Sequence, residues 1–272
     1  MPPIFGILGG MGPLATADFL RKFIESTPAR TDQDHIPTLV HNIPQIPDRS
    51  ASILGDGPSP LPVLLAGVRF LVENGACAIA IPCNTAHHWH RDLQTASPVP
   101  ILHIVDSVRW ALTHSTAKAD QPTVTQVGLL ATTGTLTAGF YQRRLADHGL
   151  VCHTPTPEDQ ADRVMPAIAR VKAGQIDEAR DLLRGVVERL RAVGAQRLIL
   201  GCTEIPLALA DADPPATPLF LDATAALARH CVDWWTHERP HRTPATLGST
   251  SDTNLFTFRQ HKQTPGSDLS SF

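Results

Sequence analysis

The sequence predicts an α/β protein with parallel sheets, and two observations carry that prediction. The first is a series of continuous apolar runs of four to seven residues, which alternate with longer amphipathic stretches. Such runs are typical of buried parallel strands, because helices cover both faces of a parallel sheet. The second is an internal repeat, which indicates that the chain consists of two similar α/β halves.

Several segments show the strand pattern. In chain order they are IFGILGG, TLVHNIP, CAIAIPCNT, PILHIV, QVGLLATT, LILGCTE and PLFLD. Amphipathic periodicity predicts helices over roughly 14–26, 60–75, 138–148, 161–173, 176–193 and 222–236. The segment 176–193 places the following apolar residues at helical spacing: Ala179, Leu182, Leu183, Val186, Val187 and Leu190.

One part of the repeat is a turn that follows a strand. The segment GILGGMGPL, from Gly6, aligns with GLLATTGTL, from Gly128, at an offset of 122 residues, and the same offset aligns Phe19 with Tyr141. The glycine spacing of the first segment does not fit the GxGxxG pattern of a dinucleotide site, and Pro13 follows it. A turn whose amides bind a substrate anion is the functional interpretation, and a purely structural turn is the alternative.

The other part of the repeat places a cysteine at the end of a strand in each half. Gly75 begins a Gly-Ala pair and an apolar run that leads to Cys83. Gly194 begins the same pattern, which leads to Cys202 over the same number of residues. The two units are 119 residues apart. Chance similarity between short apolar strands is the alternative. Ligands of open parallel sheets bind beyond the carboxyl ends of the strands. Two facing halves would therefore bring both cysteines into one cleft.

Composition argues against several classes of protein. A net charge of -3 and a pI near 6.5 provide no broad basic surface for nucleic acid. No stretch approaches the roughly 18 to 20 apolar residues that a membrane helix needs. The N-terminal segment lacks the basic start and the apolar core of a signal peptide. We therefore expect a cytoplasmic protein whose partners include neither nucleic acid nor a membrane.

The five cysteines indicate neither a disulfide framework nor a metal site. Their number is odd, they are widely spaced, and the cytoplasm keeps thiols reduced. No Cys or His spacing of a zinc site occurs. The histidine cluster HHWH, His87 to His90, is interpreted as a solvated helix start, with metal binding as the less favoured alternative. Cys77, Cys152 and Cys231 are expected to be ordinary small apolar residues.

Cys83 and Cys202 differ from the other cysteines because polar residues follow them. Asn84 and Thr85 follow Cys83, and Thr203 follows Cys202, so that hydrogen-bond donors stand beside both thiols. Backbone amides there are expected to lower the thiol pKa from about 8.5 towards neutrality. Two thiols on opposite faces of a carbon acid suit racemisation, since one removes the α proton while the other supplies a proton from the opposite face. One must then be a thiolate while the other is a thiol.

Short motifs spread along the chain support the same chemistry. In order they are GILGGMGP, QIPDRS, IPCNTAH, GLLATTGTL, VKAG and LGCTEIP, and the combination of PCNTAH with GCTE is the most specific. With these motifs the sequence resembles the aspartate/glutamate racemase family, specifically its cofactor-independent aspartate racemase branch. The resemblance covers about residues 3–236.

The resemblance implies two doubly wound α/β domains related by pseudo-twofold symmetry, with the active site in the cleft between them. We place the first domain at 1–104 plus 214–238 and the second at 105–213. Residues 239–272, which are rich in Ser, Thr and Pro, are expected to form a flexible tail. Relatives of this kind also suggest a homodimer.

The resemblance also assigns roles within the site, and it implies that neither a cofactor nor a metal is needed. It matches Cys83 and Cys202 to the catalytic thiols. Arg49, in PDRS, and Lys172, in VKAG, are implied to bind substrate carboxylates, although both would otherwise pass as ordinary surface residues. The other predicted substrate-binding residues are Met11, Asn84, Thr85, Thr132 and Thr203.

The predicted activity is interconversion of L and D forms of aspartate or glutamate, or of a broader set of amino acids. One alternative is another member of the same superfamily, such as a hydantoin racemase, a maleate isomerase or an arylmalonate decarboxylase, of which the last has a single cysteine. Another is an amino-acid-binding protein without turnover. Three residues depart from the pattern that the resemblance implies. Ala169 stands where an aromatic residue is expected, and Thr133 is smaller than the residue expected at its position. Pro166 interrupts the predicted helix that precedes VKAG. These departures concern substrate identity rather than the two-thiol chemistry.

Overall fold

Two parallel sheets form the framework of the computed structural model, which describes residues 3–115, 123–209 and 219–239. The strands of the first sheet are β1 (Ile4–Gly9), β2 (Thr38–Asn42) and β3 (Ala76–Ala80), in the order β2-β1-β3. The strands of the second sheet are β4 (Gln126–Ala131), β5 (Val151–His153), β6 (Arg197–Gly201) and β7 (Phe220–Asp222), in the order β5-β4-β6-β7. Every strand pair is parallel, which confirms the predicted fold class.

Helices connect the strands, as parallel pairing requires. From the N-terminus to the end of the first sheet they are α1 (Pro13–Ser26), α2 (Arg49–Leu54), α3 (Leu61–Glu73), α4 (His90–Ala96) and α5 (Ile104–Ser115). Those that follow are α6 (Thr133–Ala138), α7 (Phe140–Ala146), α8 (Pro157–Asp159), α9 (Met165–Lys172), α10 (Ile176–Ala192), α11 (Ile205–Leu209) and α12 (Ala223–Asp233). No helix within the described residues is long and apolar enough to cross a membrane.

The two sheets repeat one arrangement. β1 and β4 each pair on one side with the strand that follows them in the chain, and on the other side with the strand whose C-terminal loop contains Cys83 or Cys202. The matched glycines end α3 and α10 and adopt the left-handed conformation, with φ of +91° at Gly75 and +102° at Gly194. Cys83 and Cys202 therefore follow equivalent strands, β3 and β6, at the carboxyl edges of their sheets.

The sheets share a hydrophobic core. Phe5 and Ile7 of β1, Leu129 of β4 and buried side chains of α1, α5, α7 and α12 belong to one continuous cluster. Burial of apolar area at roughly 25 cal/mol per Å² is the main stabilising contribution of such a cluster. Because the core connects the two sheets, it fixes the loops at the carboxyl ends of β3 and β6 in relation to one another.

The segment PILHIV, predicted as a strand, is extended only in its first half. Ile101 forms an isolated parallel bridge with Ile79, and α5 begins at Ile104. The ring Nδ1 of His103 accepts a hydrogen bond from the backbone N–H of Val105 at 3.1 Å, so a histidine caps the start of this helix. The apolar pattern was misleading because α5 is a buried helix, and short apolar runs do not distinguish it from a strand.

The helical segment predicted at 161–173 is irregular where Pro166 lies. Residues Gln160–Val164 form a π turn, and α9 begins at Met165 with Pro166 in its first turn. Proline has no backbone N–H to donate to the preceding turn, and it is tolerated in the first turn of a helix. The expected interruption therefore appears as a change of helical type rather than as a loop.

The sequence analysis assigned 214–238 to the first domain, and the described part of this segment, 219–238, contacts both halves of the fold. β7 pairs with β6 of the second sheet, whereas α12 packs against α1 and α5. The domain boundaries given above stay a prediction, since the chain as far as Arg239 forms one compact unit that contains both sheets. Apart from Arg239, the predicted tail lies outside the described residues.

Candidate active site

The loops after β3 and β6 line one cavity of about 170 Å³. This volume is small beside the roughly 300 to 1,000 Å³ of sites for drug-sized ligands, and it suits a small metabolite. All the site residues predicted from the sequence line it: Met11, Arg49, Cys83, Asn84, Thr85, Thr132, Lys172, Cys202 and Thr203. The cavity also contains Gly12, Asp48, Ser50, Gly201 and Glu204, which the sequence analysis did not assign to the site.

Cys202 lies beside a carboxylate. Its side chain, 6% exposed, donates a hydrogen bond from Sγ to Oε2 of Glu204 at 2.9 Å. The hydroxyl of Thr203 donates to the same oxygen at 3.0 Å, and Nζ of Lys172 lies 4.0 Å from the other carboxylate oxygen. Glu204 is thus held between a thiol, a hydroxyl and an ammonium group.

The environment of Cys202 differs from the expected one. Burial, followed by the neighbouring Glu204 carboxylate, raises the pKa of the Cys202 thiol well above its usual range. The expectation that backbone amides would lower this pKa is therefore wrong for Cys202 in the ligand-free protein, because desolvation and a like charge both disfavour a thiolate. The surroundings of Cys202 therefore favour the thiol over the thiolate in the ligand-free protein.

Cys83 is equally enclosed, with a side chain 6% exposed, and its backbone is held by a histidine of the HHWH cluster. Nδ1 of His87 donates a hydrogen bond to the carbonyl oxygen of Cys83 at 2.9 Å. Burial lowers the pKa of His87 to about 3, so the ring is neutral at physiological pH. The interpretation of HHWH as a solvated helix start is wrong for His87 and Trp89, which are both buried.

Arg49 begins α2, whose N-cap is Asp48. Nη1 of Arg49 donates hydrogen bonds to the carbonyl oxygens of Ile46 and Pro47 at 3.1 and 3.0 Å, which fixes the guanidinium. The Nε atom of Arg49 is buried and has no partner. A buried donor without an acceptor is unfavourable by about 1 to 3 kcal/mol, and an incoming carboxylate would remove that penalty. Arg49 therefore suits an anionic ligand.

Asn84 presents a second unsatisfied donor at the cavity. Its Oδ1 accepts a hydrogen bond from the hydroxyl of Tyr141 at 2.6 Å, while its Nδ2 is buried without a partner. The residue is 3% exposed. Tyr141 was singled out in the sequence only as the counterpart of Phe19, and no local motif links it to Asn84 because 57 residues separate the two.

A cluster of hydroxyl groups closes another side of the cavity. Oγ1 of Thr85 lies 3.2 Å from Oγ1 of Thr132 and 2.9 Å from Oγ1 of Thr135, and the last two are 3.1 Å apart. Thr132 is the N-cap of α6. A Cβ at Gly134 would lie 2.7 Å from Cα of Ser50, so glycine permits the close approach of α6 and α2 that brings these hydroxyls together.

The other cysteines lie outside this cavity. Cys77, Cys152 and Cys231 are free, and burial raises the pKa of Cys152 to about 12. Burial likewise raises the pKa of Cys77 and Cys231. Among the described residues, no group of three or more His, Cys, Asp and Glu side chains is arranged to hold a metal ion. The reactive and charged groups that line the cavity are thus two thiols, the carboxylates of Asp48 and Glu204, and the cationic side chains of Arg49 and Lys172.

Comparison with known proteins gives this geometry a family context. Residues 8–231 match the family model described as Asp/Glu/Hydantoin racemase. The chain is 28% identical over 236 residues to the broad specificity amino-acid racemase of Bacillus subtilis, which covers 84% of this chain and 96% of that protein. Family and enzyme class agree with the resemblance found in the sequence motifs.

Solved structures show the same architecture. Aspartate racemase of Picrophilus torridus superposes with a TM-score of 0.72 at 30% identity, over 85% of this chain and 93% of that chain. Glutamate racemase of Francisella tularensis, solved in complex with D-glutamate, has a TM-score of 0.62 at 14% identity, over 89% of this chain and 84% of that chain. The second similarity concerns the fold alone.

Proposed function

This chain belongs to the Asp/Glu/hydantoin racemase family, and on that premise we propose that it interconverts the L and D forms of aspartate or glutamate. The proposal includes a reaction without pyridoxal phosphate, in which Cys83 and Cys202 exchange protons with Cα. The observation that carries it is the placement of both thiols, with cationic and hydrogen-bonding side chains, around one small cavity.

The proposed reaction is a transfer of protons between carbon and sulfur. The Cys83 thiolate removes the α proton, and the electron pair of the C–H bond is delocalised into the substrate carboxylate. The Cys202 thiol then gives its proton to the opposite face of Cα and becomes a thiolate. Atoms and charge balance, because one thiolate is consumed and one is formed. In the reverse direction the two sulfurs exchange roles.

Glu204 supports this assignment of roles in the ligand-free protein. Its carboxylate accepts the hydrogen bond of the Cys202 thiol at 2.9 Å, which favours the protonated form of that cysteine. For the reverse reaction, in which Cys202 is the base, the same carboxylate is close enough to receive the thiol proton. Glu204 thereby connects the resting protonation state with the ability to work in both directions.

An acidic amino acid fits the charges of the cavity. Arg49 keeps its Nε unpaired beside a fixed guanidinium, which suits a two-point contact with one carboxylate. Lys172 is 64% exposed, so its ammonium group is free to move between Glu204 and a ligand. A substrate with two carboxylates would engage both cations.

A broader amino-acid specificity is the second candidate. It is favoured by the similarity to the broad specificity racemase of Bacillus subtilis, which extends over most of both chains. The exposed position of Lys172 is compatible with it, since a mobile cation imposes a weaker requirement on the side chain than a fixed one. A cytoplasmic location and a homodimer remain predictions for either substrate range.

A chiral assay tests the proposal. Purified protein without added pyridoxal phosphate is incubated with each L-amino acid, and the D-isomer is measured by chiral chromatography. We expect turnover of aspartate or glutamate, and its loss in Cys83→Ser and in Cys202→Ser, because a serine hydroxyl is too weakly acidic to replace a thiol as base.

Cys77→Ser is the matched control, since Cys77 is free and lies outside the cavity; this variant should keep wild-type turnover. Binding of aspartate without turnover would indicate a silent binding protein. Turnover confined to neutral amino acids would favour the broader or a different substrate. Full activity in either active-site serine variant would refute the two-thiol mechanism.

A further inference from the structure

The strongest unassigned contact near the cavity joins Tyr141 to Asn84. Tyr141 lies on α7, which follows the second sheet's first strand, and Asn84 follows β3 of the first sheet. The hydroxyl of Tyr141 donates a hydrogen bond to Oδ1 of Asn84 at 2.6 Å, and both side chains are buried. We propose that Tyr141 is a positioning residue, which orients the Asn84 amide so that its NH₂ group faces the acceptor oxygens of the substrate. The inference rests on the proposed racemase function.

The orientation of the amide follows from the balance of donors and acceptors. A phenol hydrogen needs an acceptor, and Oδ1 of Asn84 supplies one; with the amide turned over, Nδ2 would face the phenol oxygen and the phenol hydrogen would lose this partner. Tyr141 stays neutral, because burial raises the pKa of its hydroxyl well above the usual range. The contact therefore favours one of the two amide orientations.

The orientation leaves a donor without a partner. Nδ2 of Asn84 is buried and makes no hydrogen bond in the ligand-free protein, although the residue lines the cavity. An NH₂ group can only donate, so the complementary ligand atom is an acceptor such as a carboxylate oxygen. Negative charge grows on the substrate carboxylate as the α proton leaves, and a fixed donor there stabilises the transition state more than the bound substrate.

The internal repeat shows that this contact is a specialisation of one half. The counterpart of Tyr141 is Phe19, which has no hydroxyl, and the counterpart of Asn84 is Thr203, which has no amide. Packing alone accounts for an aromatic ring at both positions, since Phe19 and Tyr141 are fully buried in the same core. The Asn84 amide thus has a tyrosine hydroxyl to orient it. The counterpart positions have neither an amide at Thr203 nor a hydroxyl at Phe19.

The test is Tyr141→Phe, which removes the hydroxyl and keeps the ring. We expect kcat for aspartate to fall about 10- to 100-fold while KM changes less than about threefold, because the aligned donor acts mainly on the transition state. Asn84→Ala should lower kcat at least as much. The double variant should match Asn84→Ala, because Tyr141 acts through Asn84 and the two effects are then not additive.

Two further variants keep the result unambiguous. Ser107→Ala removes another buried hydroxyl, which bonds His230 outside the cavity, and should leave kcat unchanged. Asn84→Asp leaves Tyr141 in place but replaces the donor by an acceptor, and it should lower kcat even if Tyr141→Phe fails to fold. Thermal unfolding of every variant separates loss of fold from loss of positioning.

The outcomes distinguish this inference from the function on which it rests. Wild-type protein without racemase activity would overturn the proposed function and this inference with it. An active wild type whose Tyr141→Phe variant keeps its kcat, or whose Tyr141 and Asn84 effects simply add, would overturn the inference alone. A lowered kcat in Tyr141→Phe, together with a double variant whose kcat equals that of Asn84→Ala, supports it.

Discussion

The contact between Glu204 and Cys202 predicts how the thiol responds when the carboxylate loses its charge. Glu204→Gln keeps a side chain of similar size and an oxygen that can still accept the thiol hydrogen at the 2.9 Å position. It removes the negative charge that opposes a Cys202 thiolate. Because that charge raises the pKa of Cys202, its removal should lower this pKa and make the thiolate available at lower pH.

The expected magnitude follows from the distance. Two unit charges about 3 Å apart interact by on the order of 5 kcal/mol at an effective dielectric of about 20, which is an upper bound for this partly exposed carboxylate. Discounting for solvent and for Lys172 leaves a shift of about 1 to 2 pH units. Burial, the larger cause of the raised pKa, is unchanged by the substitution.

The assay is the pH dependence of Cys202 alkylation, followed by peptide mass spectrometry in a Cys83→Ser background. Glu188→Gln removes an exposed carboxylate on α10 outside the cavity and serves as the control, with no expected change. The midpoint for Cys202 should fall by about 1 to 2 pH units in Glu204→Gln. An unchanged or higher midpoint would refute the account of how Glu204 controls this thiol.

Two further predictions concern ligand binding and stability. Arg49→Ala should raise KM for aspartate about 30-fold or more, which corresponds to about 2 kcal/mol. Arg49→Lys should have an intermediate KM, because lysine keeps the charge but loses the two-point contact. Equal KM values for the wild type and both variants in steady-state kinetics would contradict this prediction. Gly10→Ala should destabilise the fold by about 2 to 4 kcal/mol in urea unfolding, since φ is +100° and a Cβ would lie 2.3 Å from the Ile43 backbone. Gly149→Ala, with φ of +74° and nothing within 4 Å, should cost only about 1 kcal/mol; equal losses would disprove the steric argument.

Much of the fold was predictable because four of its strands, β1, β3, β4 and β6, are buried over most of their length. A continuous apolar run bounded by glycine or a polar turn marks such a strand directly, and the repeated Gly-Ala unit marks its beginning in both halves. β5 escaped detection because Val151–His153 contains three residues and lies at the edge of its sheet. β7 is equally short and also lies at an edge, but the run PLFLD marks it, whereas β5 ends at His153 and has no comparable apolar run.

Two helices, α2 and α5, were missed for different reasons. The N-cap of α2 is Asp48, whose side chain accepts from the backbone N–H of Ala51 at 2.7 Å, and this cap was present in the motif QIPDRS. α2 was nevertheless missed, since it contains only six residues and lacks a periodic apolar face. α5 was missed for the opposite reason: its start is apolar, and its cap is a histidine ring.

The site residues were predictable where a local motif contains them. Cys83 and Cys202 follow from the repeat alone, whereas Arg49 and Lys172 needed the family resemblance, because nothing local distinguishes them from surface cations. Glu204 stands two residues after Cys202 and could have been recognised as a neighbouring charge. The hydrogen bond between Tyr141 and Asn84 depends on tertiary packing across 57 residues, which no sequence pattern describes.

Early hydrogen exchange at Cα tests the two-thiol account most directly. If the proposed mechanism holds, the thiol that returns a proton to Cα carries deuterium in deuterium oxide, while the proton taken from L-aspartate stays on the other sulfur. The account predicts that the first D-aspartate formed contains deuterium at Cα and that unreacted L-aspartate still contains hydrogen, as measured by mass spectrometry after chiral separation. Early D-aspartate that retained mostly protium would mean that a single base returns the same proton, and it would contradict the placement of one thiol on each face.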